Sequence, residues 1–320
     1  LIPVAALFLS FPTYGDAPVH GRRFLLGLAA TLFSARYGST LAYATSYQQQ
    51  TIPLWPAISP SGGGPVGKMH VSAKGAQSQI AVPSLTVLTP SSPNGRGVLI
   101  APGGGYQRIE MAMEGWPAAL WLVNRGYTAY LLSYRLPGEG WNDGNLVALQ
   151  DAQRALRIVA QRERRVSALG FSAGGHLLGM AATRPDYQSY PAVDALDKHP
   201  ATMDGAALIY PIITLEKPYT HTATHKILLG REASQAANAA WSVQRYVTPE
   251  TPPMFLVQAE DDPVSDPHNT LIMQAACLRE QVPVTMYRYP TGGHGFAMGK
   301  PGTATVEWPG HYASWLRALS

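Results

Sequence analysis

The stretch Gly170-Phe171-Ser172-Ala173-Gly174 fits the pattern G-x-S-x-G, in which a serine occupies a sharp turn between a strand and a helix. Residues 165–170 before it indicate a short buried strand. Residues 173–183 after it are rich in Ala, Gly, Leu and Met, which is typical of a buried helix. The two glycines leave the room that so tight a turn needs, because a side chain there would collide across it. A serine in an ordinary strand-to-helix loop is the alternative, and the choice depends on partners elsewhere in the chain.

Apolar strands alternate with helical patterns on both sides of this turn. The predicted strands are residues 70–73, 85–88, 97–102, 128–135, 165–170, 206–211, 254–258 and 284–289. The predicted helices are residues 114–125, 146–162, 173–183, 269–280 and 309–319. This alternation predicts a mostly parallel central sheet with helices on both faces. No internal repeat interrupts it, so we expect one domain over residues 45–320, with residues 45–67 as an irregular lead-in rich in Gln, Pro, Ser and Gly.

The composition is that of a globular protein with a large core, since 46% of the 320 residues are hydrophobic and only 14% are charged. The net charge of +4 is small and dispersed, which argues against nucleic acid as a partner. Cys277 is the only cysteine, and no H-E-x-x-H pattern occurs, so we expect neither a metal nor a cofactor. His176, one turn into the predicted helix after Ser172, is expected to be a packed structural residue.

The first 44 residues have the features of an export signal. Arg22-Arg23 precede an apolar run over residues 24–33, and the small-x-small pattern Ala42-Tyr43-Ala44 follows. The apolar run is too short for a permanent membrane anchor. We therefore expect residues 1–44 to be removed on export to the periplasm or the cell exterior, with residues 1–20 as candidate upstream sequence. A buried N-terminal helix is the alternative.

A glycine-rich loop, Gly103-Gly104-Gly105, follows the predicted strand at residues 97–102. Ligands of open α/β sheets bind at the carboxyl ends of the strands. Consecutive glycines there let backbone N–H groups point at one spot, as an oxyanion hole requires. A plain glycine-rich turn and a phosphate-binding loop are the alternatives. The phosphate-binding loop is disfavoured because no Gly-Lys-Ser/Thr follows and the spacing does not fit G-x-G-x-x-G.

Candidates for an acid and a base follow the last two predicted strands. Glu260, Asp261 and Asp262 come directly after the penultimate strand, and only one of these carboxylates can hold a histidine. His294 lies between glycines in the loop after the last strand, and these glycines would let the loop project the ring towards Ser172. The chain order of serine, acid and histidine is that of α/β-hydrolases.

Several segments between about residue 50 and the end of the chain form a combined pattern. They are residues 52–56 (IPLWP), 102–106 (PGGGY), 134–137 (YRLP), 151–155 (DAQRA), 170–176 (GFSAGGH), 248–262 and 289–295 (YPTGGHG). In combination these segments resemble the bacterial α/β-hydrolase fold esterases that include acetylxylan esterases and feruloyl esterases. They are specific for that family and far less specific for its substrate.

The resemblance implies a catalytic triad and an oxyanion hole of backbone N–H groups. The triad consists of Ser172 as the nucleophile, His294 as the base and Asp262 as the acid. The three N–H groups belong to Gly104, Gly105 and Ala173. The chain departs from the family directly after the acid.

That departure lies in Ser265-Asp266, which follow Val264 where the family commonly has a Val-Val or Val-Pro pair. In the common D-x-x-V-P frame the acid lies four residues before the proline position, which Asp266 takes here. Counting back gives Asp262, and Asp261 is then predicted to point elsewhere.

For function, the resemblance implies a serine esterase that releases short acyl groups, chiefly acetyl, from plant polysaccharide or oligosaccharide such as acetylated xylan. The expected partner is thus a small ester or an acetylated saccharide. A general short-chain carboxylesterase and a feruloyl esterase are the nearest alternatives, and a non-catalytic carbohydrate-binding protein is the non-enzyme one.

Residues 186–245, a long stretch predicted to be irregular, could supply the surface for a saccharide. They include the aromatic residues Tyr187, Tyr190, Tyr219 and Trp241, and Tyr246 follows just after them. Aromatic rings among polar groups suit sugar rings, which have apolar faces and hydroxyl edges. Packing of the domain is the alternative interpretation.

Overall fold

The computed structural model of the protein describes residues 46–319, so the expected export signal lies outside the described residues. The strands are Tyr47–Pro53 (β1), His70–Val71 (β2), Gln77–Ser78 (β3), Ser84–Pro90 (β4), Arg96–Ala101 (β5), Thr128–Ser133 (β6), Arg165–Phe171 (β7), Gly205–Ile209 (β8), Met254–Ala259 (β9) and Val284–Tyr289 (β10). The α-helices are Trp116–Val123 (α1), Val147–Ala160 (α2), Ala173–Thr183 (α3), Ala223–Leu229 (α4), Gln235–Ala240 (α5), His268–Arg279 (α6) and Trp308–Ala318 (α7). A π-helical turn, Met111–Gly115, leads directly into α1. Each predicted strand and helix is present, with its ends within two residues of the expected positions.

Eight strands form one sheet in the order β1-β4-β6-β5-β7-β8-β9-β10. All pairs from β6 to β10 are parallel, and β4 runs antiparallel to both of its neighbours. The central strands β6 to β9 are almost entirely buried, which explains why they appear in the sequence as continuous apolar runs. The remaining strands, β2 and β3, form a small separate hairpin.

Helices cover both faces of this sheet. In the sheet, β6 lies on one side of β5, and β7, β8, β9 and β10 lie on the other side. Because the crossovers between parallel strands are right-handed, this change of direction places α1 on one face and α2, α3 and α6 on the other. Helix α7 joins α1, where Trp121 stacks on Tyr312 with ring centroids 5.7 Å apart. None of the helices that the structure describes is long and apolar enough to cross a membrane.

The reversal of direction creates a crevice at the carboxyl ends of β5 and β7, where ligands of open α/β sheets bind. The strand register aligns these ends: Ala101 pairs with Gly170, and Phe171 pairs with Ile209. Further along the sheet Ala259 pairs with Tyr289. The loops after β5, β7, β8, β9 and β10 therefore emerge along one edge of the sheet.

The prediction of an irregular lead-in over residues 45–67 is wrong for its first part. Residues Tyr47–Pro53 form β1, which pairs antiparallel with β4 over seven residues, from Tyr47 opposite Pro90 to Pro53 opposite Ser84. The sequence does not predict this strand, because its consecutive glutamines show no alternation of apolar and polar residues. Six of its seven side chains are exposed, so backbone hydrogen bonds rather than side-chain burial keep β1 in the sheet.

Residues 186–245 are less irregular than predicted, because they contain α4 and α5 as well as short 3₁₀ turns. Their aromatic side chains mostly pack the domain. Tyr190 lies edge-on to Trp55, and Trp241 stacks on His176. Tyr187 and Tyr246 both lie against the Arg184 guanidinium. The interpretation of this set as a platform for sugar rings is therefore wrong for the buried Tyr190 and Trp241.

Two of the segments that resemble the esterase family, residues 134–137 and 151–155, are joined by a buried ion pair. Arg135 and Asp151 have fully buried side chains and lie 2.9 Å apart, and the indole N–H of Trp55 donates to the same carboxylate. Burial raises the pKa of Asp151, while the Arg135 guanidinium opposes that shift. Since removing one partner of such a pair leaves an uncompensated charge, these residues hold α2 and the first loop to the sheet. They support the fold and lie apart from the chemistry.

Candidate active site

The turn at Ser172 has the strained geometry that the sequence predicts. Ser172 follows β7 directly and has φ 49° and ψ −116°, a conformation with positive φ that non-glycine residues seldom adopt. A Cβ on Gly170 would lie 2.5 Å from the carbonyl oxygen of Gly174, across the turn. A Cβ on Gly174 would lie 2.0 Å from the carbonyl oxygen of Ala101, so the absence of a side chain at Gly174 allows α3 to pack closely against β5. The turn presents the hydroxyl of Ser172 at the crevice.

Ser172, His294 and Asp262 meet at this crevice. The oxygen Oγ of Ser172 lies 2.9 Å from Nε2 of His294, and Nδ1 of His294 lies 2.8 Å from Oδ2 of Asp262. A carboxylate only accepts hydrogen bonds, so Nδ1 carries the proton and Nε2 is left to accept from the serine hydroxyl. The carboxyl of Asp262 is buried, whereas the ring of His294 is 18% exposed.

Two backbone amides fix the carboxylate of Asp262. Oδ1 accepts from the N–H of Val264 at 2.8 Å and from the N–H of Ser265 at 2.9 Å. The amide of Gln258 donates to Oδ2 at 3.0 Å, beside the bond from His294. Ser265, at the departure from the family pattern, is fully buried and donates its hydroxyl to the carbonyl oxygen of Pro211. The serine thus anchors the acid loop to the loop after β8.

The neighbouring carboxylates have different partners. Oδ1 of Asp261 accepts from the N–H groups of Gly292 and Gly293 at 2.8 and 2.7 Å, and so holds the loop that carries the histidine. Glu260 pairs with Arg288 at the surface. Asp266 accepts from the N–H and the ring of His268 at the start of α6. The structure therefore brings Asp262, and neither Asp261 nor Glu260, to His294.

Glycines on either side of His294 allow its loop to turn. Gly293 and Gly295 have φ values of 68° and 74°, which glycine adopts without strain. The Tyr210 ring lies edge-on to the His294 ring with centroids 5.0 Å apart, and Phe296 packs edge-on against Tyr210. The imidazole is thus held by packing as well as by its hydrogen bond to Asp262.

Two of the three amides proposed for an oxyanion hole lie in the glycine loop that packs against Ser172, and the third belongs to the residue after Ser172. The N–H groups of Gly104, Gly105 and Ala173 donate no hydrogen bond to any other residue between 46 and 319. Gly104 has φ 117°, and a Cβ there would lie 2.2 Å from the carbonyl oxygen of Arg108. The glycine before it, Gly103, lies against the serine, since its Cβ would be 2.8 Å from that of Ser172. Each glycine of the loop is therefore required by close approach or by its backbone angle.

Sequence reasoning missed a buried network behind this loop. Oε2 of Glu114, in the π-helical turn, accepts from the N–H of Gly103 at 2.5 Å. Oε1 accepts from the hydroxyl of Tyr210 at 2.9 Å, and that hydroxyl oxygen accepts from the N–H of Ala297 at 3.1 Å. Burial raises the pKa of Glu114 to about 7. A glutamate within a helical pattern gives no signal of burial, so only the fold reveals this network.

The prediction that His176 packs within the domain agrees with its contacts. Its ring is fully buried and lies between Tyr106 and Trp241. The Tyr106 hydroxyl donates to Nδ1 at 3.0 Å, and Nε2–H donates to the carbonyl oxygen of Trp241 at 2.8 Å. Burial lowers the pKa of His176 to about 4. Since Tyr106 follows Gly105, the neutral imidazole holds one end of the glycine loop.

We expect His176 to make folding less stable in acid. The unfolded chain binds a proton at this histidine near pH 6.5, and the folded protein does so only near pH 4, so its contribution is complete above 6.5 and is lost as the pH falls. The loss amounts to about 3 kcal/mol at most. Urea unfolding of wild type and His176→Gln from about pH 4 to pH 7.5 should therefore show a stability difference that shrinks in acid. A stability difference for His176→Gln that stays constant over this pH range would contradict the expectation.

Among residues 46–319, no group of three or more His, Cys, Asp and Glu side chains could hold a metal ion. The side chains that meet at the crevice supply a hydroxyl, an imidazole and a carboxylate, and the adjoining loop and turn contain backbone amides that donate to no other residue between 46 and 319. This arrangement can activate the hydroxyl as a nucleophile and stabilise an oxyanion beside it.

Two curated proteins are similar in sequence. An endo-1,4-β-xylanase B from Butyrivibrio fibrisolvens is 30% identical over 214 residues, which is 63% of this chain and 32% of the relative. An acetylxylan esterase from Xylanibacter ruminicola is 28% identical over 221 residues, which is 66% of this chain and 43% of the relative. The chain spans less than half the length of either relative.

Solved structures are similar over nearly the whole chain. An acetyl ester-xyloside bifunctional hydrolase from Caldicellulosiruptor lactoaceticus is 27% identical with a TM-score of 0.67, and the match covers 88% of this chain and 98% of that one. A carboxylesterase from Lactobacillus plantarum is 22% identical with a TM-score of 0.59 and coverage of 85% and 97%. The α/β-hydrolase fold expected from the sequence is thereby confirmed.

The sequence model of the BD-FAE family matches residues 94–276, which is more than half of the chain. This segment includes the glycine loop, the turn at Ser172 and the acid loop, and it ends before His294. The chain therefore belongs to the BD-FAE family, which confirms its resemblance to the α/β-hydrolase carbohydrate esterases.

Proposed function

We propose that the protein is a serine esterase that releases acetyl and other short acyl groups from a saccharide such as acetylated xylan. The observation that carries the proposal is the hydrogen-bonded series Ser172–His294–Asp262 beside the free N–H groups of the glycine loop. A hydroxyl, an imidazole and a carboxylate in this order constitute a nucleophile, a base and a group that orients the base.

In the proposed mechanism, Nε2 of His294 takes the proton from Ser172 as the serine oxygen attacks the ester carbonyl. Asp262 keeps the proton on Nδ1 and stabilises the imidazolium that forms. His294 then gives its proton to the leaving sugar alkoxide, which departs as an alcohol. A water molecule attacks the acyl-enzyme with the same base, and this second step restores Ser172.

The negative oxygen of the tetrahedral intermediate would bind to the N–H groups of Gly104, Gly105 and Ala173. These amides are held before the substrate arrives, because the left-handed glycines and the start of α3 fix their directions. Loss of one such donor typically lowers the rate by about 10²–10³-fold. Preorganised amides thus account for a large share of the proposed rate acceleration.

The substrate class rests on the relatives and on the narrow surroundings of the serine. Two similar proteins are named for acetylxylan or acetyl ester-xyloside hydrolysis. Ser172 is 7% exposed, and a Cβ on Gly105 would lie 2.8 Å from Cβ of Ala223 at the start of α4. The low exposure of Ser172 and the close packing of α4 on the glycine loop favour a small acyl group over a long chain.

We therefore expect kcat/KM to be highest for acetyl esters and to fall steeply as the acyl chain lengthens. A series of chromogenic esters from acetate to octanoate, measured beside acetylated and feruloylated xylo-oligosaccharides, tests this directly. A maximum at octanoate without acetate release from the sugar would identify a general carboxylesterase. Preferential release of ferulate would identify a feruloyl esterase, and no hydrolysis of any ester would contradict the proposal.

Export is part of the same proposal, since polymeric xylan lies outside the cell. The paired arginines, the apolar run and the small-x-small pattern within residues 1–44 are its support. Sequencing the N-terminus of protein recovered outside the cytoplasm should place the mature end near residue 45. Recovery of a chain that still carries residues 1–44 would contradict export by cleavage.

A further inference from the structure

Glu114 is a buried carboxyl to which the proposed hydrolysis assigns no role. Its side chain lies at the end of the π-helical turn and is 5% exposed. Burial is the largest influence on its pKa, and no salt bridge to Glu114 occurs among residues 46–319. A carboxyl in such a place is costly to ionise, so its presence calls for a function in the site.

The hydrogen bonds of Glu114 join the two loops that meet at Ser172. On one side its Oε2 accepts from Gly103, which precedes the oxyanion amides and lies against the serine. On the other side its Oε1 accepts from Tyr210, whose hydroxyl in turn accepts from Ala297 on the histidine loop. The bonds form one uninterrupted series from Ala297 through Tyr210 and Glu114 to Gly103.

This series fits an ionised carboxylate. Both oxygens of Glu114 face donors, an N–H and an O–H, and an ionised carboxylate is an acceptor at both oxygens. If Glu114 were protonated, its O–H would face either the N–H of Gly103 or the O–H of Tyr210, and the hydrogen bond at that carboxyl oxygen would break. Protonation therefore separates the oxyanion loop from the histidine loop, or forces Tyr210 to reorient.

The groups around Glu114 place its titration near neutral pH. Those that face it are the Tyr210 phenol from the end of β8, the His294 imidazole, Glu110 on its own segment and the Tyr134 phenol from the end of β6. Burial is the largest influence and raises the pKa of Glu114 to about 7, while the bonds from Gly103 and Tyr210 oppose the shift.

We propose that Glu114 is a positioning residue of the ester-hydrolysis site: its carboxylate holds the oxyanion loop and the histidine loop in their active arrangement, and its protonation releases them. The inference rests on the proposed function and adds to it a second acidic group that controls activity. Glu114 acts through Gly103 and Tyr210, and it does not itself contact the substrate.

The test compares wild type with Glu114→Gln, in which a neutral amide imitates the protonated carboxyl. At about pH 8.5 we expect kcat/KM on a chromogenic acetate ester to fall by about 10- to 100-fold, the range for loss of a hydrogen bond to a charged group. As the pH falls to about 5, wild type becomes protonated too, and the ratio of the two activities should approach one. A purely structural defect would lower kcat/KM by the same factor at every pH, and that result would overturn the inference.

Glu110→Gln is the matched control, because it removes the same charge from the same segment, where Glu110 pairs with Arg108 at the surface. Its ratio to wild type should stay near one at about pH 8.5 and rise as the pH falls, because Glu110 raises the pKa of Glu114 and its loss moves the acid decline to lower pH. Tyr210→Phe gives an independent result. It breaks the series at the phenol, so kcat/KM should already be lower than in wild type at about pH 8.5. The phenol also lowers the pKa of Glu114, so its loss should move the remaining acid decline of kcat/KM to higher pH.

Circular dichroism shows whether each variant is folded. If Glu114→Gln does not fold, the pH profile of Tyr210→Phe tests the inference. If the acid decline of kcat/KM in Tyr210→Phe occurs at the same pH as in wild type, the inference is overturned and the proposed function still stands. A wild type that hydrolyses no ester would overturn the proposed function and the inference together.

Discussion

Replacement of Ser172 by alanine should lower kcat on acetyl esters by about 10⁶-fold, the scale found when the nucleophile is removed from serine enzymes with the same triad. The reason is that the acyl-enzyme cannot form without the hydroxyl, although the oxyanion amides and the binding surface remain. Steady-state hydrolysis of a chromogenic acetate, with active sites counted in the wild type by a serine-directed organophosphate, measures the effect.

The matched control is Ser265→Ala, which removes a buried hydroxyl that bonds to the carbonyl oxygen of Pro211. That change should lower kcat far less than Ser172→Ala does, and the organophosphate should still label the protein. Full activity of Ser172→Ala, or labelling of it at the wild-type rate, would show that another residue is the nucleophile.

Asp262→Asn should have the second largest effect, lowering kcat by about 10⁴-fold. The amide of asparagine can donate to Nδ1 of His294, and the imidazole would then carry its proton on Nε2, where it cannot accept from Ser172. The fold should tolerate the change, because the oxygen of asparagine can still accept from the N–H groups of Val264 and Ser265. Measurement of kcat beside thermal unfolding separates the two effects.

Asp261→Asn is the control for this prediction, since it makes the same substitution one residue earlier. Its carbonyl oxygen can still accept from Gly292 and Gly293, so only the strengthening of those bonds by charge is lost. We expect kcat to fall by about tenfold at most. A larger loss in Asp261→Asn than in Asp262→Asn would mean that the acid has been assigned to the wrong residue.

The sequence predicts the central fold well because its signals are local. The strands from β5 to β10 are short apolar runs bounded by glycine, proline or polar residues, and each is found within two residues of its expected place. The candidate triad follows from the same signals, since Ser172, Asp262 and His294 each lie in the turn or loop that follows a strand. In a parallel sheet such ends meet at one edge, so chain position alone brings these residues together.

What the sequence could not predict depends on contacts between distant segments. Glu114 resembles an exposed helical glutamate until β8 places Tyr210 beside it. The strand β1 lacks apolar alternation and is recognised only through its pairing with β4. Tyr190 and Trp241 resemble a binding surface because composition does not reveal that they pack against Trp55 and His176.

The position of β1 has a consequence for aggregation. Its side chains are mostly exposed, so its detachment would lose backbone hydrogen bonds and little apolar burial. Detachment would expose the edge of β4, in which Leu85, Val87 and Leu88 are fully buried. An apolar strand with unpaired N–H and C=O groups is a template for pairing with another chain. Local opening at this end of the sheet, well before global unfolding, is therefore where self-association of the protein would begin.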